Sequence, residues 1–234
     1  MGVMKNLEPL MEKDPDFDEE KYFSSSLRSG QYGEVQYALP YETVPTLMFV
    51  NKTLLAKEGI AMPNPDWNWD TMYSICQKTT KDLDGDGVLD QFGCYNFGWM
   101  DAVYSNGGEI FEAGGKESNF TDEKVVESIQ FVRRLNDLYQ GQKVTQEDFN
   151  AGNVVFMPLT FAEYRTYKTY PYKIKRYANF QWDCITMPAG YQGGNLSQVD
   201  SLLIGISAHT KHEQLAWEFL KLLTYDEKIQ TEIF

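Results

Sequence analysis

The stretch Tyr37-Ala38-Leu39-Pro40-Tyr41-Glu42-Thr43-Val44-Pro45-Thr46-Leu47-Met48-Phe49-Val50-Asn51-Lys52 decides how this chain is read. Two short runs of strand-favouring residues, 35–39 and 46–50, flank a segment in which Pro40 and Pro45 each remove a backbone donor, so the segment reads as a connection. Asn51 then precedes a short helix over 52–58 that Gly59 stops. Strand runs alternating with helical patterns continue along the chain and argue an α/β architecture.

Downstream, Pro63 and Pro65 mark a connector over 62–67. A helix follows with Asn68 as its N-cap, Asp70 in its first turn, and Met72, Ile75, Cys76 and Thr79 on one face. The clearest helical pattern covers 122–140: Thr121 caps it, Asp122 and Glu123 suit the positive end of the dipole, and Gly141 ends it. Its expected buried stripe is Val125, Ile129, Val132, Leu135, Leu138 and Tyr139. Residues 154–159, 180–186 and 201–207 read as strands. Thr210-x-x-Glu213 and Thr224-x-x-Glu227 read as capping boxes around a helix with Leu215, Ala216, Phe219, Leu220, Leu222 and Leu223 as its apolar face.

The 234 residues carry 34 acidic against 21 basic side chains, a net charge of −13, with 42% hydrophobic and 15% aromatic residues. Mean hydropathy of −0.46 and a pI near 4.6 fit a folded, water-soluble chain and disfavour binding to nucleic acid or an anionic membrane. No apolar run approaches the roughly 20 residues that span a bilayer, and the first residues show no signal-peptide pattern. Cys76, Cys94 and Cys184 are scattered without metal-ligand spacing and read as small buried hydrophobes.

Three constellations carry chemistry. Asp82-Leu83-Asp84-Gly85-Asp86-Gly87-Val88-Leu89-Asp90 places carboxylates at positions 1, 3, 5 and 9 of a calcium loop, with the Val88 carbonyl at position 7. Position 12, ordinarily a bidentate Glu, is Gly93, so the loop is incomplete and reads either as a site for a structural Ca²⁺ or as a solvated acidic turn whose glycines meet tight backbone demands. Residues 164–177 interleave five tyrosines with five basic residues, which could stack on single-stranded nucleic acid but reads better as a basic surface with tyrosines packed by their apolar faces. Trp67, Trp69, Tyr95, Phe97, Trp99 and Tyr104 are mainly core candidates. Within them, Tyr95-Asn96-Phe97-Gly98-Trp99-Met100-Asp101 mixes rings with amide and carboxylate groups in a loop after a strand, a lining suited to a neutral polar ligand such as a sugar.

No nucleophile elbow, P-loop or dinucleotide fingerprint is present, and His209 and His212 read as helix-start and surface residues. A glycoside hydrolase or lyase stays open as an alternative and would need a carboxylate pair, for instance among Asp101, Glu109, Asp183 and Asp200. A calcium-stabilised surface-binding module is the third reading.

Taken together the motifs resemble the extracellular solute-binding proteins of ABC transporters, the maltose-binding-like group. The resemblance rests on Tyr37-Ala38-Leu39-Pro40-Tyr41-Glu42-Thr43 with Leu47 to Leu55, Trp67-x-Trp69-Asp70, the acidic loop, and Tyr104-Ser105-Asn106-Gly107-Gly108-Glu109-Ile110-Phe111. It continues through Phe149-Asn150-Ala151-Gly152-Asn153-Val154-Val155-Phe156-Met157, Ile204-Gly205-Ile206-Ser207 and the 216–224 helix, in order over nearly the whole chain.

The resemblance implies a periplasmic-binding-protein-like (type II) α/β fold: two lobes joined by crossing strands, with ligand held in an interlobe cleft that closes on it. It divides the chain into a piece of the first lobe (1–45), a second lobe (46–203) and helices returning to the first (204–234), and implies a protein truncated at both ends. Tyr41, Glu42 and Thr43 beside the first crossing, Phe97 and Trp99 before the Asn106-Gly107-Gly108 turn, Phe161 and Tyr164 after the 154–159 strand, and Asp200 and Ser201 before the last crossing would contact ligand. Asp82, Asp84, Asp86, Val88 and Asp90 would hold calcium, as matching loops do in some relatives; no other cofactor is implied. The expected activity is non-enzymatic capture of a sugar or oligosaccharide for ABC permease membrane subunits, on the extracellular face as a lipoprotein or in the periplasm.

Overall fold

Between Ala38 and Asn51 the chain forms one 14-residue strand, β3, rather than two strands around a connection. Both prolines are accommodated within it: ladder pairing to its neighbour begins at Thr46, just past Pro45, so the missing amide at Pro45 costs that ladder no bond. The computed structural model describes residues 2–112, 115–160, 162–163 and 180–233. The chain forms two compact units, Met1–Val44 with Val199–Phe234, and Pro45–Gln198.

In the first unit, α1 (Glu8–Met11), a 3₁₀ turn (Glu19–Lys21) and α2 (Ser24–Ser29) precede a small antiparallel pair, β1 (Gln31–Tyr32) and β2 (Val35–Gln36). After the second unit, β7 (Val199–Gly205) pairs with β3, and α8 (Glu213–Tyr225) and α9 (Glu227–Ile233) follow. Leu7, Leu10, Leu27, Leu39, Ile206, Trp217 and Leu220 form this unit's core. Trp217 donates its indole N–H to Asp14 at 2.7 Å, and Lys221 pairs with the same carboxylate at 2.5 Å. Those bonds, Lys221 first, hold the Asp14 carboxyl below its ordinary 3.8.

In the second unit, α3 (Lys52–Lys57), α4 (Trp69–Thr79), β4 (Phe92–Cys94), α5 (Trp99–Ser105), α6 (Glu123–Asp137), α7 (Gln146–Asn150), β5 (Val154–Thr160) and β6 (Trp182–Ile185) follow in order. The sheet order is β4-β5-β3-β6: β4 runs parallel to β5, while β5 and β6 are antiparallel to β3. β5 is buried along nearly its whole length, as a central strand covered on both faces must be. Successive β3 residues serve opposite faces: Met48 and Val50 join Trp69, Met72 and Phe131 in one core cluster, and Phe49 joins Phe92, Tyr139 and Phe149 in the other.

Helix starts were partly legible. Asn51 and Asn68 cap α3 and α4 by accepting from Leu54 N and Thr71 N, and Met72, Ile75, Cys76 and Thr79 are buried. α6 is capped by Asp122, not Thr121, and buries Val125, Ser128, Phe131 and Leu135. Its stripe turns toward Phe131 because that ring stacks on Trp69 at 4.4 Å and 6°, which leaves Ile129 42% exposed. Neither expected capping box forms around α8. His212 occupies the N-cap without a side-chain bond, and Thr224 is buried in the last turn, bonding Leu220 O and the Tyr22 hydroxyl. α8 turns Trp217, Leu220 and Thr224 inward, and Leu215, Phe219 and Leu222 are exposed.

Candidate ligand-binding site

β4 is the terminal strand of the second unit's sheet order, so its outward N–H and C=O need partners. Tyr139, just past α6, supplies both: its hydroxyl donates to Cys94 O at 2.7 Å and accepts from Cys94 N at 3.0 Å. Burial holds this phenol well above its ordinary 10.0. The clamp joins the end of α6 to the carboxyl end of β4, where ligands commonly bind in open α/β sheets.

A cavity of about 460 Å³ opens beside this clamp. One wall is the loop Tyr95, Asn96, Phe97 and Gly98 running into Trp99, the first residue of α5; the other is Asn136, Tyr139, Gln142 and Lys143 at the end of α6. Two non-glycine residues beside it adopt left-handed backbone, Asn96 at φ 63° and Gln140 at φ 53°. Such conformations cost of order 1–3 kcal/mol where a side chain is not suited to them and gather at binding sites. Asp101 fixes the loop's exit by accepting from Gly98 N at 2.9 Å, the reciprocal bond of an N-terminal capping box. Burial raises the Asp101 carboxyl above 3.8, partly opposed by that bond.

The expected sugar-facing residues divide. Trp99 is 38% exposed and lines the cavity, while Phe97 is only 6% exposed and packs edge-on against Phe131, presenting little more than one edge. Trp67 and Trp69 are core, their indoles donating to Thr186 O and Ser105 Oγ. Tyr41, Glu42 and Thr43 lie on β3, and Asp200 and Ser201 on β7, which pairs with it, so these five share two adjacent strands of the first unit. Thr43 bonds Ser26 at 3.0 Å, and the Ser201 hydroxyl is buried with no hydrogen-bond partner among the described residues. Phe161, Tyr164 and the basic tyrosine-rich stretch 164–177 lie outside the described residues. Asn136, Gln142 and Lys143 escaped the sequence reading; the Gln140-Gly141 turn, with Gly141 at φ 81°, was the only local hint that the chain doubles back there.

The acidic loop fits a divalent cation in part. One oxygen each from Asp82, Asp84 and Asp86 lie within 4.8 Å of one another, all exposed. Asp82 accepts from Gly87 N and Gly85 N, which lower its carboxyl below 3.8, and Asp90 accepts from Leu83 N. Position 12 supplies nothing, and the packing explains why. Gly93 lies within β4 against α4, where any Cβ would overlap the Cys76 backbone, so a glutamate there would break the helix–strand contact.

The Asn106-Gly107-Gly108 turn is structural. Asn106 is fully buried, donates to Lys124 O and accepts from Gln192 N, and a Cβ on Gly193 would overlap the Ser105 carbonyl.

A family model described as bacterial extracellular solute-binding protein matches residues 1–234. Among solved structures, the Listeria monocytogenes ABC substrate-binding protein Lmo0181, in complex with cycloalternan, superposes with a TM-score of 0.73 at 19% identity, over 97% of this chain and 58% of that one. An ABC transporter solute-binding protein from Thermotoga lettingae bound with α-D-tagatose gives 0.73 at 15% identity, over 99% and 60%. CpMnBP1 with mannotriose bound gives 0.72 at 18% identity, over 99% and 61%. The chain therefore spans about three fifths of the length of these structures, and at such identities they establish the fold. No curated protein matches it by sequence.

Proposed function

The chain belongs to the bacterial extracellular solute-binding protein family, and on that premise we propose that it takes part in capturing a carbohydrate for an ABC importer. The observation that carries this reading is the cavity at the carboxyl end of β4, where the exposed Trp99 ring stands among Asn96, Asn136, Gln142 and Lys143. An indole covers the C–H face of a pyranose, and amide groups pair with its hydroxyls. The similar structures hold cycloalternan, α-D-tagatose and mannotriose, which supports a sugar as the ligand class.

The proposed role is binding without catalysis, with delivery to the membrane subunits of a permease. Capture on the extracellular face, with the whole protein held as a lipoprotein or free in a periplasm, is the location that fits the family. Tyr41, Glu42, Thr43, Asp200 and Ser201 on the first unit are proposed ligand contacts on the strength of the family resemblance, to be tested by alanine substitution. Asp82, Asp84, Asp86, the Val88 carbonyl and Asp90 are the proposed ligands of a structural Ca²⁺, which would neutralise three crowded carboxylates and stiffen the loop between α4 and β4.

Titration calorimetry against a panel of mono- and oligosaccharides and polyols tests the capture reading. Saturable binding by the chain that Trp99→Ala weakens about tenfold or more supports it. Binding of no saccharide at millimolar concentration overturns it.

A further inference from the structure

Trp99 lines more than the one cavity. A second hollow of about 480 Å³ shares Trp99, Val132 and Asn136 with the first. Its far wall is Phe120, whose ring lies 5.8 Å from Trp99 at 44°, and its floor is the outward face of α6 at Ile129, Arg133 and Asp137. Residues 129, 132, 133, 136 and 137 recur at helical spacing, so one face of α6 forms a continuous floor under both hollows. Phe120 is 47% exposed and Ile129 42%, a local apolar patch bordered by a guanidinium, an amide and a carboxylate.

That combination matches one kind of occupant. A purely apolar peptide would leave Arg133, Asn136 and Asp137 facing carbon, whereas a pyranose offers a C–H face to the rings and vicinal hydroxyls to the charged groups. From the shared indole and the common floor we infer that the site is extended: a glycan of two or more residues runs across Trp99, one residue in each hollow, and Phe120 with Arg133 forms the second subsite. This rests on the carbohydrate reading above and adds to it a preference for oligosaccharides over single sugars and polyols.

The test is a length series measured by calorimetry on the intact chain: mannose, mannobiose and mannotriose, glucose, maltose and maltotriose, with ribitol as a non-glycosidic control. The inference expects affinity to rise about tenfold or more from one residue to two in at least one series. Phe120→Ala and, separately, Arg133→Met should then remove most of that gain while leaving single-sugar affinity and the thermal midpoint unchanged. Both side chains are surface groups, so the fold is retained and the two variants check each other. Affinity independent of length, or a gain that both variants preserve, overturns the extended site and leaves sugar capture standing. Binding of no saccharide at all overturns both.

Discussion

Replacing Tyr139 by Phe removes a single oxygen, and the structure says what that oxygen does. It is the partner of both the N–H and the C=O of Cys94 on the outer side of a terminal strand, at 3.0 and 2.7 Å, and both Cys94 and Tyr139 are buried. A buried backbone group left without a partner costs about 1–3 kcal/mol. Two such groups, partly relieved by water entering the adjoining cavity, give a loss of about 3 kcal/mol. At about 2–4 °C per kcal/mol for a domain of this size, the thermal midpoint falls by roughly 6–12 °C. The ring remains, so its edge-on contact with Phe92 at 5.8 Å persists and the effect isolates the hydroxyl. Urea unfolding followed by tryptophan fluorescence measures it, with the expected change in midpoint at constant slope. Amide exchange at Cys94 should accelerate in step, since its opening no longer breaks a side-chain bond. A change below about 0.5 kcal/mol would refute the argument, because it would mean the strand edge is satisfied by solvent and the hydroxyl is not what fastens α6 to β4.

Three further outcomes follow from the geometry. Saturating Ca²⁺ should raise the thermal midpoint and EDTA reverse it, by about 2.7 kcal/mol at a hundredfold excess over Kd, with Asp84→Asn, whose carboxylate accepts from Asp86 N, abolishing the response; a midpoint indifferent to both excludes the ion. In α8, Trp217→Ala should cost about 3–5 kcal/mol in urea unfolding while Phe219→Ser stays within about 0.5 kcal/mol, and the reverse ranking would contradict the observed helix face. Asp14 and Glu58 are held below their ordinary 3.8 and 4.5, chiefly by Lys221 and Lys81, so their stabilisation is complete above those values and is lost as pH falls through the depressed ones. Acid titration of the thermal midpoint should show this as a decline below about pH 4.5 that Asp14→Asn makes shallower.

What the sequence disclosed was local. Asn68 declared the start of α4 because its cap bond reaches only three residues ahead, and Gly59 declared the end of α3 through a left-handed turn at φ 68°. The glycine and aspartate spacing of residues 82–90 likewise laid out the acidic loop, in which one oxygen each of Asp82, Asp84 and Asp86 lie within 4.8 Å of one another. What it withheld depended on partners far along the chain. The α6 stripe could not be phased without knowing that Phe131 stacks on Trp69, and α8 looked amphipathic about Phe219 because both of its faces are apolar. Two prolines made one strand look like two, since only pairing shows that the β3–β5 ladder starts after Pro45 and that β7 pairs with the same strand. At the site, the stretch Tyr95 to Asp101 was legible as a ring-and-amide loop after a strand, and Trp99 in that stretch lines the cavity. Phe97 is largely buried and meets Phe131 edge-on, and the α6 wall was invisible because Tyr139 meets Cys94 across 45 positions.

The most direct test of sugar capture is to record ¹⁵N–¹H correlation spectra of the intact chain while titrating the tightest-binding saccharide of the calorimetric panel. The account predicts saturable shifts concentrated in Tyr95, Asn96, Phe97, Gly98 and Trp99, including the Trp99 indole N–H, and in Asn136, Gln142 and Lys143. Shifts that leave those residues unmoved, or that persist unchanged in Trp99→Ala, would contradict it.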